Sequence, residues 1–289
     1  MRLHVVDGTF ELYRAQYAPR PDRAAPDGMD VKGVVGVMSS MLGLLDDADE
    51  QVTHIAVAFD NPIESFRNEM FAGYKTGEGM EPALVAQMGL VEDAVAALGI
   101  TVWSMDRYEA DDALATAAKR WRDHVAQVRI LTADKDLGQC VTGNRVVQVD
   151  RMRRRVFDED GVRQRNGCNP ASIPDWLALV GDTADGIPGV PGFGAKTAAT
   201  LLTRYGTVEA IPPHSSDWDV KVRSGIRLAQ TLNEMRDEVA LYKRLATLAE
   251  DVPLDESLED LRWRGADRES FERLEKRLGG MPMRPRRWR

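Results

Sequence analysis

Short apolar runs that each stop at an acidic residue constrain this chain more than any other feature. Leu3-His4-Val5-Val6 stops at Asp7, His54 to Phe59 stops at Asp60, and Val128 to Leu131 is followed by Asp134 and Asp136. Runs this short and this continuously apolar read as strands of a parallel sheet buried on both faces. Ile100 to Trp103 and Val146 to Val149 add two more. Between them, apolar residues recur at helical spacing. Val34, Met38, Met41, Leu42 and Leu45 form one set; Leu84, Met88, Val91, Val95 and Leu98 form another, stopped by Gly99 as a C-cap. Ala113, Leu114, Ala117 and Trp121 give the core face of a third helix. The alternation predicts an α/β fold: a mainly parallel central sheet flanked by helices.

From about residue 166 the pattern turns helical, so two domains are expected, residues 1–165 and 166–289. Ile173, Trp176, Leu177 and Val180 predict one helix, and Ala198, Leu201, Leu202 and Tyr205 the next. Leu228, Leu232, Met235, Val239 and Tyr242 predict one longer helix, and Phe271, Leu274 and Leu278 a last one. Gly280 to Arg289 reads as a frayed end. No internal repeat or low-complexity tract is visible.

Bulk properties exclude several classes. At 289 residues and 43% hydrophobic composition the chain can bury a real core. The only apolar stretch at the N-terminus, Leu3 to Val6, is too short for a signal peptide, and no run approaches a membrane span. Cys140 and Cys168 then read as reduced thiols, and a cytoplasmic location is expected. The net charge of −8 argues against a general nucleic-acid binder, although carboxylates that hold cations are neutralised in place. Positive charge is local. Arg151, Arg153, Arg154 and Arg155 form one run and Arg284, Arg286, Arg287 and Arg289 another; each reads equally well as a solvated face.

In open α/β sheets, sites form at the carboxyl ends of strands, where Asp7, Asp60, Asp134 and Asp136 gather. One such aspartate would be a helix N-cap or turn residue; four, joined by further clusters, are poorly explained that way. Glu109-Ala110-Asp111-Asp112 opens a helix with three carboxylates in one turn, whose natural compensation is a hard divalent cation. Asp134 and Asp136 at i and i+2 would point the same way in an extended segment. Asp182 and Asp185 at i and i+3 would face together in a helical turn.

The most specific segment runs from Gly186 to Ala198, Gly-Ile-Pro-Gly-Val-Pro-Gly-Phe-Gly-Ala-Lys-Thr-Ala. A helix, a glycine-rich hairpin and a second helix start would expose consecutive backbone N–H groups to a phosphate backbone without reading sequence. Gly189, Gly192, Gly194, Lys196 and Thr197 are the expected DNA-binding residues of this helix-hairpin-helix.

Asp7-Gly8-Thr9, Ala58-Phe59-Asp60, Phe66-Arg67, Tyr74-Lys75, Glu109 to Asp112, Thr132 to Gln139 and Gly181 to Ala198 stand in the order seen in the 5′-nuclease, or flap endonuclease, family. The chain resembles its bacterial branch, the nuclease domain of DNA polymerase I and its free-standing relatives, over about residues 3–250. The resemblance implies a helix-three-turn-helix motif in the helical region. It also implies that Glu109, Asp111, Asp112 and Asp134 hold one metal, with Asp7 and Asp60 partly through water. Asp136, Asp182 and Asp185 would hold a second. Mg²⁺ or Mn²⁺ is expected there, and K⁺ on the backbone carbonyls of Ile187, Val190 and Phe193. Lys75 would be the cation nearest the scissile phosphate and Arg67 another phosphate contact. The implied activity is structure-specific 5′-3′ exonuclease or flap cleavage of DNA in replication and repair, by a monomer acting on duplex with a 5′ end, nick or flap.

Two other classes compete. Asp7-Gly8-Thr9 also resembles the nucleophile loop of aspartate-based phosphatases, but those place a second acid two residues away, where this chain has Val5 and Thr9. A non-catalytic DNA-binding scaffold would not need nine clustered carboxylates. One departure from the family stands out. Relatives carry another basic residue three positions after Tyr-Lys, where this chain has Glu78 in a loop with Gly77 and Gly79.

Overall fold

The computed structural model describes all 289 residues. The strands are β1 (Arg2–Asp7), β2 (His54–Asp60), β3 (Thr101–Met105), β4 (Gln127–Leu131), β5 (Val146–Asp150) and β6 (Arg155–Phe157). The helices of the first half are α1 (Gly8–Gln16), α2 (Lys32–Asp46), α3 (Phe66–Met70), α4 (Pro82–Val85), α5 (Met88–Ala97) and α6 (Ala110–Trp121). Those of the second are α7 (Glu159–Asn166), α8 (Ile173–Val180), α9 (Ala195–Tyr205), α10 (Gly225–Glu234), α11 (Arg236–Ala246) and α12 (Arg268–Arg277). The chain divides into two compact units. The first contains Met1–Ser65, Gly77–Thr132 and Glu250–Arg289; the second contains Phe66–Thr76 and Ala133–Ala249. These units do not follow a single cut at 165/166, because the chain passes between them several times.

The first unit holds a parallel sheet of order β3-β2-β1-β4. Every residue of β1 after Arg2 is buried, as is every residue of β2 before Asp60, which is why these strands read as unbroken apolar runs. The register sets Asp7 beside Ala58 and Val6 beside Leu131, so the strands end together and their terminal carboxylates emerge at one edge. The sequence expects one helix over 84–98. The structure breaks it at Ala86-Gln87, where the Gln87 amide is spent inward: Nε2 donates to Gln16 Oε1 and Oε1 accepts from Val34 N. Gly99, at φ +73°, follows as expected; a Cβ there would stand 2.1 Å from the Gly265 carbonyl oxygen.

The C-terminal residues are not frayed. Ala266 N donates to Arg287 O and Arg289 N to Ala266 O, each near 3 Å, so the last residues add a backbone ladder to the segment before α12. Trp288 stacks edge-on to Phe271 at 5.4 Å between centroids, beneath the Arg268 guanidinium. Arg284 pairs with Glu275 and Arg286 with Asp46. The periodicity rule misses this because an aromatic plug with a two-bond ladder has no period.

The second unit combines the antiparallel β5–β6 hairpin with α7 to α11. Its core gathers Leu177, Leu179, Ile187, Val190, Phe193, Leu201, Leu202, Leu228, Leu232, Val239 and Tyr242. The single long helix expected over 228–242 is two, α10 and α11, hinged at Met235 with φ −109° and ψ 20°. Leu228 and Leu232 of α10 and Val239 and Tyr242 of α11 keep to the core side, so the expected pattern survives the break, while Ile226 at the start of α10 is exposed.

Candidate active site

In the first unit the acidic strand ends are built into the local fold by their own hydrogen bonds. Asp7 is the N-cap of α1, accepting from Phe10 N at 2.8 Å, while its second oxygen accepts from Thr132 Oγ1 at 2.9 Å. Gly8 lets α1 begin there, since a Cβ would overlap the Phe59 ring and the Ala58 carbonyl. Thr9 Oγ1 takes the Asp60 N–H. Asp60 Oδ1 in turn accepts from Ala110 N at 2.7 Å, at the start of α6. Glu109 and Asp112 form a reciprocal capping box, each side chain bonding the other's backbone, and Ser65 Oγ donates to Glu109 Oε1 at 2.8 Å. The cap reading weighed from the sequence is therefore realised for Asp7, Glu109 and Asp112. It does not exhaust them, because a carboxylate offers about four acceptor positions.

In the second unit the carboxylates meet differently. Asp134 is the N-cap of a 3₁₀ turn, Lys135–Cys140, accepting from Asp136 N at 2.9 Å. The extended geometry expected for Asp134 to Asp136 is replaced by this turn. Asp182 caps the turn before the glycine hairpin through Ala184 N and Asp185 N, a hydrogen-bonded turn in place of the helical turn expected. Asp136 is buried, and its Oδ1 has no hydrogen-bond partner. Burial, then the charges of Asp134, Asp182 and Asp185, push its carboxyl well above the usual range. Burial would raise Asp182 as well, but a 2.8 Å bond to Lys135 Nζ brings it below its ordinary value. A buried carboxylate oxygen without a donor, crowded by three more acids, fits a divalent cation. No three or more of these side chains close into a finished cage, and magnesium-like ions that keep several waters need only one or two direct carboxylates.

Lys75 reaches Asp185: its Nζ lies 3.1 Å from Oδ1, and Tyr74 Oη bonds the other oxygen at 3.3 Å. Arg67 corrects the expectation of a phosphate contact. It is fully buried, with Nε on Leu245 O and Nη2 on Thr247 O, so its charge closes the C-terminal end of α11 rather than facing solvent. Sequence reasoning also passed over Lys135, Thr132 and Ser65. The first two lie inside a segment already singled out; Ser65 carries no periodic or motif signal.

In the hairpin, Gly186, Gly189 and Gly192 all have positive φ, near +70° to +91°. Gly192, Gly194 and Lys196 are exposed and Thr197 is half-buried, as a phosphate-facing surface needs. Gly189 is not part of that surface. It is buried, and a Cβ would meet Val180 and Gly181 backbone atoms at 2.5 to 2.7 Å, so its glycine serves close packing on the end of α8. Ile187 O and Val190 O each accept one backbone hydrogen bond, from Asp182 and Phe193.

A parallel sheet with carboxylates at its strand ends in one unit, and a helix, glycine hairpin and helix in the other, define an α/β protein with two acidic clusters. Two family models match consecutively: the 5′-3′ exonuclease N-terminal resolvase-like domain over residues 2–167, and the 5′-3′ exonuclease C-terminal SAM fold over 168–269. The chain belongs to the 5′-3′ exonuclease family. It is 35% identical to DNA polymerase I of Bacillus caldotenax over 96% of its own length, spanning 31% of that relative. It is 30% identical to a 5′-3′ exonuclease of Aquifex aeolicus, covering 97% of this chain and 92% of that one. Among solved structures, the bacteriophage T5 D15 flap endonuclease in complex with DNA and metal ions shares the fold at TM-score 0.65 and 19% identity, over 85% of this chain and 89% of that one. The catalytic core of Rad2 in complex with DNA substrate does so at 0.62 and 14%, over 97% and 88%. No helix is long and apolar enough to cross a membrane.

Proposed function

We propose that this chain is a structure-specific 5′-3′ exonuclease and flap endonuclease that hydrolyses DNA phosphodiester bonds with divalent cations. The buried Asp136 oxygen without a donor, set among Asp134, Asp182 and Asp185, carries this reading. In the second unit those four acids would hold a cation, which moves Asp134 out of the set the resemblance implied because its charge acts on Asp136; in the first, Asp7, Asp60, Glu109, Asp111 and Asp112 would do so. Mg²⁺ or Mn²⁺, when bound, would activate water and offset charge on the phosphate.

The protein's own groups do the rest. Thr132 and Ser65 orient Asp7 and Glu109, and Lys135 holds Asp182 in place. Lys75, paired with Asp185, would offer its ammonium to a phosphate oxygen. Gly192, Gly194, Lys196 and Thr197 would grip duplex backbone, with K⁺ on the carbonyls of Ile187, Val190 and Phe193. The reading includes a monomer acting in the cytoplasm in replication and repair.

A gel assay on 5′-labelled blunt, nicked and flapped DNA, with Mg²⁺, Mn²⁺ or EDTA, tests it. Metal-dependent release of short 5′ products, fastest on nicked or flapped DNA, is expected. An intact 5′ label on all three substrates in both metals would overturn it.

A further inference from the structure

The arginine run at 151–155, ambiguous in sequence, forms the tip and edge of the β5–β6 hairpin. Beneath it lies a cavity of about 530 Å³ within the second unit, with Lys135, Asp150, Arg153, Arg155, Phe157 and Arg165 in its wall. Four cations and one carboxylate line it, in a chain whose net charge is −8, and one of the four, Lys135, is already paired with Asp182. The lining carboxylate is taken too, since Arg153 bonds both Asp150 oxygens, through N at 3.0 Å and Nη1 at 2.9 Å.

The cavity is built rather than incidental. Arg165 is pinned by Asn166 Oδ1, Gln148 Oε1 and Lys135 O, and its guanidinium lies 4.6 Å from the Phe157 ring centroid. Its direct partners are neutral oxygens and an aromatic face, while Asp134, Asp136 and Asp150 act on its charge only through space. Arg155 is exposed and its side chain has no ion-pair partner. The apolar wall is Val156, 53% exposed in a strand position where a solvated hairpin would place a polar residue, and half-buried Phe157. Fixed positive charge beside exposed apolar surface matches a nucleotide, phosphate to arginine and sugar or base to the apolar wall. The volume suits one nucleotide unit. Ala133 and Lys135 line the cavity and flank Asp134, so a nucleotide bound here would lie beside that carboxylate.

We propose that this cavity is a nucleotide subsite that holds one phosphodiester unit of the DNA substrate, separate from the surface of the glycine hairpin. It rests on the nuclease reading above. The test is fluorescence anisotropy of the full chain with 5′-flap DNA in EDTA, over a range of salt. Arg155→Glu and Val156→Ser are compared with Lys196→Glu, and circular dichroism confirms folding. Arg155→Glu should weaken binding about tenfold at low salt and lower the salt slope by about one. Val156→Ser should weaken binding with the slope unchanged. Wild-type affinity and slope for Arg155→Glu, alongside a weakened Lys196→Glu, would overturn the subsite and leave the nuclease reading standing. Failure of the wild-type chain to bind DNA would overturn both.

Discussion

The two units carry similar numbers of candidate carboxylates but stabilise them by different means. In the first, Asp7, Asp60 and Glu109 each accept from a backbone N–H or a hydroxyl, so the fold that makes the strand and helix ends also fixes the acids. In the second, Asp182 and Asp185 are held by Lys135 and Lys75, and Asp136 Oδ1 is left without a donor. Removing the capping Asp7 should therefore be costly for stability, and removing the donor-less Asp136 should not. Asp136→Asn should abolish cleavage yet unfold at the same or a higher temperature in EDTA, because it removes a repelling charge. Asp7→Ala should also abolish cleavage but lose about 0.5–2 kcal/mol with its helix cap. Thermal denaturation of both variants checks the contrast; a lower unfolding temperature for Asp136→Asn, or near-normal cleavage by it, would break it.

The same contrast appears among the glycines of the hairpin. Gly189→Ala places a Cβ within 2.5 Å of backbone at φ +70° and should cost about 1–3 kcal/mol. Gly194→Ala meets open space at an ordinary φ of −106°, so folding should be unaffected. Equal stabilities by denaturant titration would mean that the hairpin's spacing reflects its surface alone.

What the sequence made legible follows from this division. Strands such as β1, β2 and β4 could be read because parallel strands buried on both faces are continuous apolar runs, and most helices because they have a period. The unforeseen β6 is three residues long with two exposed, so it has neither signature. The Met235 hinge, the Gln87 break and the Trp288 plug each depend on contacts that no local window contains. Arg67 illustrates the limit for the site. A motif identifies an arginine, but only the Leu245 and Thr247 carbonyls show that it is a packing element.

Far from the carboxylates, the first unit has a second charged cluster, and it titrates. His4 and Arg129 are cross-strand neighbours, and Glu50 bonds both, at 3.0 Å to His4 Nε2 and 3.0 Å to Arg129 Nη2. Burial lowers the His4 pKa and outweighs its Glu50 partner, so the neutral ring donates through Nε2 while buried Nδ1 has no partner. The hydrogen bond from His4, then Arg129, pulls Glu50 down to about 2. Both folded pKa values lie below the unfolded ones, so both contributions are present above 6.5 and are lost as pH falls, His4 first and Glu50 between about 4.5 and 2. Glu50→Gln should flatten the lower part of the stability profile. A profile of unchanged slope below pH 4.5 would mean that the cluster is not coupled to folding.

The smallest effect is expected at Glu78, where the family pattern and this chain part. The sequence suggests a flexible loop between Gly77 and Gly79. The structure shows a turn, with Gly77 N donating to Glu64 Oε1 at 3.0 Å, Met80 N to Gly77 O at 3.2 Å, and Gly79 at φ +86°. Glu78 is exposed on that turn. If a displaced 5′ strand passes this turn, a carboxylate there repels it, and Glu78→Arg converts repulsion to attraction. An exposed charge acts through solvent, so the gain should be only about two- to fivefold for flapped DNA at low salt, smaller for blunt duplex, and should fade as salt rises. Anisotropy titrations at two salt concentrations measure it. Equal gains on both substrates would mean that the turn meets duplex rather than the flap, and no gain at low salt would mean that it meets neither.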